Sequence, residues 1–391
     1  MIVNAGLRLW AAQKKQGTGL CVGLDPHVRP LGEKEPEFYT RFISWDGGRE
    51  ALRVFQQLFR AVGSPLFRPV RLPNLTAEFL AGLLAYFLQV VEVAWANGIR
   101  VYKPQAAFYE RLGPFGLLVL EAICNRLHQL AAAAGEMVFI ILDCKRGDIE
   151  TTQEPYFASY ETAYGEDVIP GMGGRFDFDT MTVTTWMGED VLTPGLPYFR
   201  KGKGAIVVTR TSNPSGTTLQ DSSVESNPVL ALSEKQEPFR FTDGLADTLY
   251  EELGGPPISA HEAMLYLTAK FSADNGLDEE GVSPIFSVMG STVRMTDSFR
   301  MLRPGGLALV PGFGAQGGKF SNIEPLLVRE GVLAGHWGIL ASSQAHNFPW
   351  LPKYGGQGNP FLLRAELTRA IDDFRKAEKQ AYAEACVDYP F

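Results

Sequence analysis

Cysteine is scarce. Cys21, Cys124, Cys144 and Cys386 are the four in 391 residues, and no two form a C-x-x-C pair. That spacing excludes a disulfide framework, argues against a thiolate metal centre, and fits a reducing compartment. The five histidines (His27, His128, His261, His336, His346) include no H-x-x-x-H or similar ligand spacing, so no metal site is expected. Positive charge is also short, with 36 Lys+Arg against 44 Asp+Glu and a net charge of −8. A nucleic-acid partner held by bulk electrostatics needs a basic face, so none is expected, although a small anion needs only a local cluster. No uninterrupted apolar run reaches membrane length: the longest, residues 81–96, contains Gln89 and Glu92, and the opening MIVNAGLRLWAAQKKQG has no apolar signal core. The expectation is a soluble, cytoplasmic protein with no membrane partner. Neither a G-x-S-x-G elbow nor a Cys/His pairing for acyl transfer is present, and no internal repeat is visible.

Against these absences stand 45% hydrophobic and 20% charged residues, ordinary globular proportions with ample material for a large core. Short apolar runs ending in Gly, Pro, Asp or Asn recur: GLCVGLDP (19–26), IRVYKPQ (99–105), VFIILDCKRGD (138–148), MTVTTW (181–186), AIVVTRTSN (205–213), SPIFSVMG (283–290), GLALVPGFG (306–314) and GHWGILASSQ (335–344). Eight near-continuous apolar strands separated by helical segments are what closes a (β/α)8 barrel, and the alternative is an open doubly wound sheet. The polar residues favour the barrel. Asp25, Lys103, Asp143, Lys145, Ser212, Gln316 and Gln344 fall at or past the carboxyl ends of different strands, whereas an open sheet gathers its site at one switch point. The fold expected is therefore α/β, one TIM barrel over 1–391. The surplus length sits in insertions at about 27–80, with a helix near Arg49 to Val62, and about 217–280, where Thr217 to Pro257 is rich in Ser, Asp, Glu and Pro. LLRAELTRAIDDFRKAEKQAYAEA (362–385) reads as a C-terminal helix on the barrel exterior.

The sharpest chemical feature is Asp143-Cys-Lys145-Arg-Gly-Asp148-Ile149 directly after the buried run VFIIL. Residues i and i+2 of a strand share a side, so Asp143 and Lys145 should both reach the barrel mouth, and the turn at Gly147 should bring in Asp148. With each charged type near ~6%, D-x-K-x-x-D arises by chance in roughly one chain in a dozen of this length, so the pattern alone also fits a solvated ion-pair loop. In a confined site, two carboxylates near 4 Å repel by about 4 kcal/mol at an effective dielectric of 20, and an ammonium between them relieves the repulsion. Such an ammonium is a poor nucleophile and a well-placed proton donor to a carbon that develops negative charge. Lys103 ends the preceding strand and extends the network.

Pro311-Gly-Phe-Gly-Ala-Gln316-Gly317-Gly318 contains G-x-G-x-x-G, but the next strand ends in neutral residues rather than the acid a dinucleotide site needs. Loops after strands seven and eight of a barrel commonly cradle phosphate, and that reading is preferred over a plain turn. Ser212, in RTSNPSG, offers a hydroxyl to a heterocyclic edge or simply makes a turn. Asp25, in GLDP, is an acceptor for sugar hydroxyls or a turn-initiating Asp-Pro.

GLDP, VYKPQAAFYE, ILDCKRGDIETT, TSNPSG and PGFGAQGG, in this order, resemble the orotidine 5′-phosphate decarboxylase family in its longer bacterial-type branch. The resemblance implies a homodimeric barrel without metal or organic cofactor, which removes CO2 from orotidine monophosphate to give UMP in pyrimidine synthesis. It further implies that Asp143, Lys145 and Lys103 form the charged network of one subunit. Lys145 protonates C6, while Asp148, Ile149 and Thr152 reach across the dimer interface, with Asp148 facing the departing carboxylate. Asp25 and Lys103 hold the ribose, Ser212 the pyrimidine edge, and Gln316, Gly317, Ser343 and the residue at 344 the phosphate. That last position departs from the pattern, because the family's arginine is replaced by Gln344, with Lys319, Arg294 or Arg210 as candidate substitutes. TTW (184–186) departs from an expected Asn-Pro-Tyr-like run. Two alternatives remain open: a related Mg2+-using barrel decarboxylase or aldolase with another substrate, and a nucleotide-binding barrel whose turnover is weak or lost.

Overall fold

The computed structural model describes residues 3–27, 38–62, 76–161, 176–224, 258–292, 299–300, 305–313 and 317–391. Eight parallel strands close into a barrel: β1 (Leu20–Leu24), β2 (Val101–Pro104), β3 (Phe139–Arg146), β4 (Thr180–Val183), β5 (Gly204–Arg210), β6 (Ile285–Met289), β7 (Ala308–Pro311) and β8 (Ile339–Ser342). Each coincides with one of the eight apolar runs. They are legible because both faces are buried, so every residue of β1, β2, β4, β5, β6 and β8 lies in the interior.

The period of two divides these residues between two cores. Cys21, Val101, Phe139, Ile141, Ile206, Phe286, Leu309 and Ile339 fill the barrel. Their neighbours Leu20, Tyr102, Ile140, Leu142, Ala205 and Ile285 face outward to the helices. Continuing the inward parity toward the carboxyl ends gives Asp25 just after β1, Lys103 on β2, Asp143 on β3 and Ser343 after β8. The polar site is thus the next layer above a packed floor.

Around the barrel lie α1 (Ala5–Gln16), α2 (Gly48–Val62), α3 (Ala77–Ala96), α4 (Ala106–Glu110), α5 (Pro114–Ala134), α6 (Glu150–Glu161), α7 (Ala260–Asp274) and α8 (Leu363–Glu384). Helix α3 is capped by Thr76, whose side chain accepts from Phe79 N–H, and is apolar nearly all round. By length and composition it is a candidate membrane span, yet 72% of its most apolar window is buried inside the molecule. The reason is a second layer: α2 and the turn Phe38–Phe42 cover the face of α3 that α5 and α8 leave open. Phe38, Tyr39 and Phe42 are fully buried there against Tyr86. In the second long connection, Ser223–Val224 pairs antiparallel with Ile258–Ser259, and a Ser259/Glu262 capping box then starts α7. Residues 225–257 lie outside the described residues. Helix α8 packs on the barrel exterior against α3, and just before β1 its Glu378 carboxylate accepts from Thr18 Oγ1 at 2.5 Å and Gly19 N–H at 2.7 Å.

Candidate active site

The carboxyl ends of the strands enclose a cavity of about 450 Å³ lined by Asp25, Lys103, Asp143, Lys145, Ser212, Gly312, Ser343 and Gln344, among others. At its centre the Asp143 carboxylate takes three donors. Oδ2 accepts from Lys103 Nζ at 3.1 Å, and Oδ1 accepts from Thr182 Oγ1 at 3.1 Å and from Lys145 Nζ. Burial alone would raise the carboxyl pKa of Asp143, but the two ammonium groups outweigh it and hold the carboxyl well below its usual range. Burial likewise opposes the charge on Lys103, and Asp143 and Asp25 overcome it, so its pKa is pushed above the ordinary lysine value. The two lysines differ in access: the side chain of Lys103 is 6% exposed and that of Lys145 is 48% exposed. Lys103 is therefore fixed inside the network, while Lys145 presents its ammonium to the cavity.

Lys145 does not reach the mouth as an ordinary i+2 strand neighbour. The β3–β4 register shifts between Leu142 and Arg146, and Lys145 adopts the left-handed conformation at φ 49°. A bulge of this kind re-aims a side chain at a cost that the surroundings must cover. Here Thr182 Oγ1 accepts both Cys144 N–H and Lys145 N–H at 2.8 Å while donating to Asp143. One hydroxyl thus fixes the backbone that aims the lysine and the carboxylate that pairs with it. Thr182 went unnoticed in the sequence, although Thr180 and Thr182 alternate with Met181 and Val183 on β4 and carry the inward parity.

Asp25 is buried, its Oδ1 has no hydrogen-bond partner, and burial raises its pKa against the opposing pull of Lys103. Its backbone N–H is held by Asn347 Oδ1 at 2.8 Å. A Cβ on Gly23 would lie 1.9 Å from Ser343 Oγ, so glycine there makes room for the Ser343 side chain that bonds Asp25. Ser212 lines the cavity on a loop pinned by Arg210, whose guanidinium binds both Asp221 oxygens at 2.7 and 2.8 Å. After β7, Gly318 N–H closes the turn onto Gly312 C=O at 3.0 Å, with Gly317 at φ 73°. Gln316 lies outside the described residues.

The turn at Gly147 does not bring Asp148 into the cavity of its own chain. Asp148, Ile149 and Thr152 are absent from the cavity lining. The chain leaves β3 for α6, Asp148 Oδ1 accepts from Ile149 N–H at 2.8 Å, and Ile149 is 67% exposed. His27, Gln105 and Phe108 also line the cavity and were missed. Among the described residues no group of three or more His, Cys, Asp or Glu is placed to hold a metal ion.

This arrangement has relatives. A family model described as "Orotidine 5′-phosphate decarboxylase / HUMPS family" matches residues 18–246. The chain belongs to that decarboxylase/HUMPS family. Among its relatives, the orotidine 5′-phosphate decarboxylase of Myxococcus xanthus is 33% identical over 242 residues, covering 61% of this chain and 68% of the relative. The enzyme of that name from a Nocardioides species is 30% identical over 329 residues, covering 83% and 86%. Solved structures share the fold at lower identity. The Plasmodium berghei orotidine 5′-monophosphate decarboxylase superposes with a TM-score of 0.60 at 16% identity, covering 97% of this chain and 99% of that one. Leishmania donovani OMP decarboxylase gives 0.55 at 17%, covering 98% and 100%.

The resemblance implies an arginine after β8, where this chain carries Gln344. Of the three candidate substitutes for the missing arginine, Arg210 is buried and committed to Asp221, because the bidentate pair fixes its guanidinium away from the cavity. Lys319 is exposed and absent from the lining, and Arg294 lies outside the described residues.

Proposed function

We propose that this chain decarboxylates orotidine 5′-monophosphate to UMP. The observation that carries the reading is the Lys103–Asp143–Lys145 network with its threonine clamp, since it sets one accessible ammonium above a packed floor inside a family barrel. In this reading the C6–carboxylate bond breaks, CO2 departs, and the electron pair left on C6 takes a proton from Lys145 Nζ, which solvent then restores. Negative charge on C6 is stabilised by the same ammonium that later donates, so the donor acts on the transition state as well as after it. Asp25 and Lys103 hold the ribose hydroxyls and Ser212 the pyrimidine edge. Gly317, Ser343 and Gln344, together with Gln316, hold the phosphate.

The homodimer belongs to the same proposal, as does a cytoplasmic setting. Ile149 and Met187 are 67% and 62% exposed beside the mouth, and Asp148 lies outside its own cavity. Pairing two copies across this edge would place Asp148 of the partner subunit at the carboxylate end. We read residues 1–391 as one barrel domain, with about 27–80 and 217–280 as elaborations of two crossovers. Purified protein mixed with orotidine monophosphate is expected to consume the substrate absorbance, and Lys145→Ala to abolish the change. Absence of turnover at millimolar substrate would overturn the reading. A specific observation favours a second one, a nucleotide-binding barrel with weak turnover: Gln344 brings no charge, and losing a charge-assisted contact to phosphate costs about 1.5–3 kcal/mol.

A further inference from the structure

At the cavity mouth the imidazole of His27 and the carboxamide of Gln344 face each other, Nε2 to Nε2 at 3.5 Å. The carboxamide oxygen accepts from the Tyr354 hydroxyl at 2.6 Å, which leaves its nitrogen turned toward the ring. The ring is itself fixed, packed on Phe108 and Phe348 with centroids 4.4 and 5.8 Å apart, while its backbone carbonyl accepts from Tyr39 OH at 2.7 Å. Both side chains line the cavity that holds Lys145, and Gln344 directly follows β8, where barrels commonly take the anionic end of a ligand.

A carboxamide N–H only donates, so a neutral imidazole satisfies it by accepting at Nε2. Protonation turns the same contact into two donors pointing at each other, unless an anionic oxygen enters and accepts from both. We propose that His27 and Gln344 form a proton-coupled phosphate clamp, in which the imidazole takes a proton from solvent at Nε2 as the nucleotide phosphate binds and so supplies the charge that Gln344 lacks. The clamp rests on the nucleotide reading above and names how that site grips its anion.

The groups facing His27 support such coupling. Burial disfavours its charge most; Asp25, two residues earlier in the chain, favours it; Lys353, beside Tyr354, and Arg111, after α4, oppose it. The net effect holds the imidazole below its ordinary value, so it is neutral in the free site near pH 7. A phosphate dianion across Nε2 reverses that balance, and Lys353 and Arg111 then add attraction for the anion. A fixed arginine would bind phosphate with no proton uptake. The difference is measurable.

The test is calorimetric titration of the full chain with UMP at pH 7.5 in two buffers of different ionisation heat, repeated with uridine and with inorganic phosphate. Uptake of about one proton is expected with UMP, less with inorganic phosphate because its own second ionisation at about pH 7 releases part of it on binding as the dianion, and none with uridine. His27→Asn should take up none and bind UMP about tenfold more weakly at pH 6.5, approaching the unaltered protein at pH 9. Gln344→Arg should bind UMP more tightly with less uptake, which guards against a folding defect in the first variant. UMP binding without uptake, or equal uptake by His27→Asn, overturns the clamp while leaving the decarboxylase reading intact. Phosphate binding with uptake but no turnover of orotidine monophosphate supports the clamp and sinks that reading. Failure to bind either anion overturns both.

Discussion

Thr182 shows how one small side chain does the work of several. Its hydroxyl accepts two backbone N–H groups and donates to Asp143, which uses its full bonding capacity inside the barrel. Thr182→Val keeps the shape and strands both N–H groups, a loss on the order of 1–3 kcal/mol in stability. The larger consequence is positional, because the left-handed Lys145 then loses the contact that fixes it. In an assay with orotidine monophosphate, kcat is expected to fall about tenfold to a hundredfold with KM little changed, since a misaimed donor weakens the transition state more than the ground state. Thr182→Ser restores the hydroxyl and should recover most of the rate, which a general packing defect would not do. The parity of β4 marks Thr182 as inward-facing in the sequence, but nothing there shows that Lys145 sits on a bulge. That bulge arises from pairing β3 with β4, residues about forty apart, and local pattern carries no register.

At the scale of elements, α8 is held to the barrel by a buried carboxylate. Burial pushes the Glu378 carboxyl up to about 7, although Thr18, Gly19 and Tyr389 all donate to it. A folded value above the unfolded one means that the folded chain holds this proton more tightly. Stability from this group is therefore complete below the unfolded value near 4.5 and is lost as pH rises through about 7. The swing amounts to about 3 kcal/mol at 1.36 kcal/mol per pH unit. Thermal unfolding of Glu378→Gln, compared with the unaltered protein at pH 5 and pH 8, should show the variant gaining on it as pH rises. A constant difference would mean that the carboxyl ionises freely in place. The comparison cancels other titrating groups, such as Asp25 with its raised value and His336 with its lowered one, because both proteins share them. Helices and strands themselves were readable. Eight apolar runs became eight strands, and the helix read near Arg49 to Val62 is α2. What α2 is for was not readable, since its cover over α3 depends on the Phe38–Phe42 turn meeting Tyr86 across the fold. Arg210 illustrates the same limit: its charge suggested phosphate, and only the loop geometry reveals Asp221 as its partner.

For the molecule as a whole, the distribution of site residues predicts its assembly. Lys103, Asp143 and Lys145 converge in one cavity, while Asp148, Ile149 and Thr152 of the same motif stand outside it at the start of α6. If two copies share each site, Lys145→Ala and Asp148→Ala protein damage different halves of it. Each pure variant then has only defective sites. When the two are mixed in equal amounts and allowed to exchange subunits, half of the dimers are mixed, and one of the two sites in each mixed dimer is intact. About a quarter of the unaltered activity should therefore return, a consequence of two-fold symmetry alone. Activity that stays at the level of the separate variants would place Asp148 outside the shared site, and light scattering that gives a single-chain mass would exclude the sharing altogether. The acidic exterior is consistent with this design. A net charge of −8 repels polyanions in bulk, whereas Lys103 and Lys145 place positive charge locally at the cavity, so the overall acidity does not by itself bar a small anionic ligand.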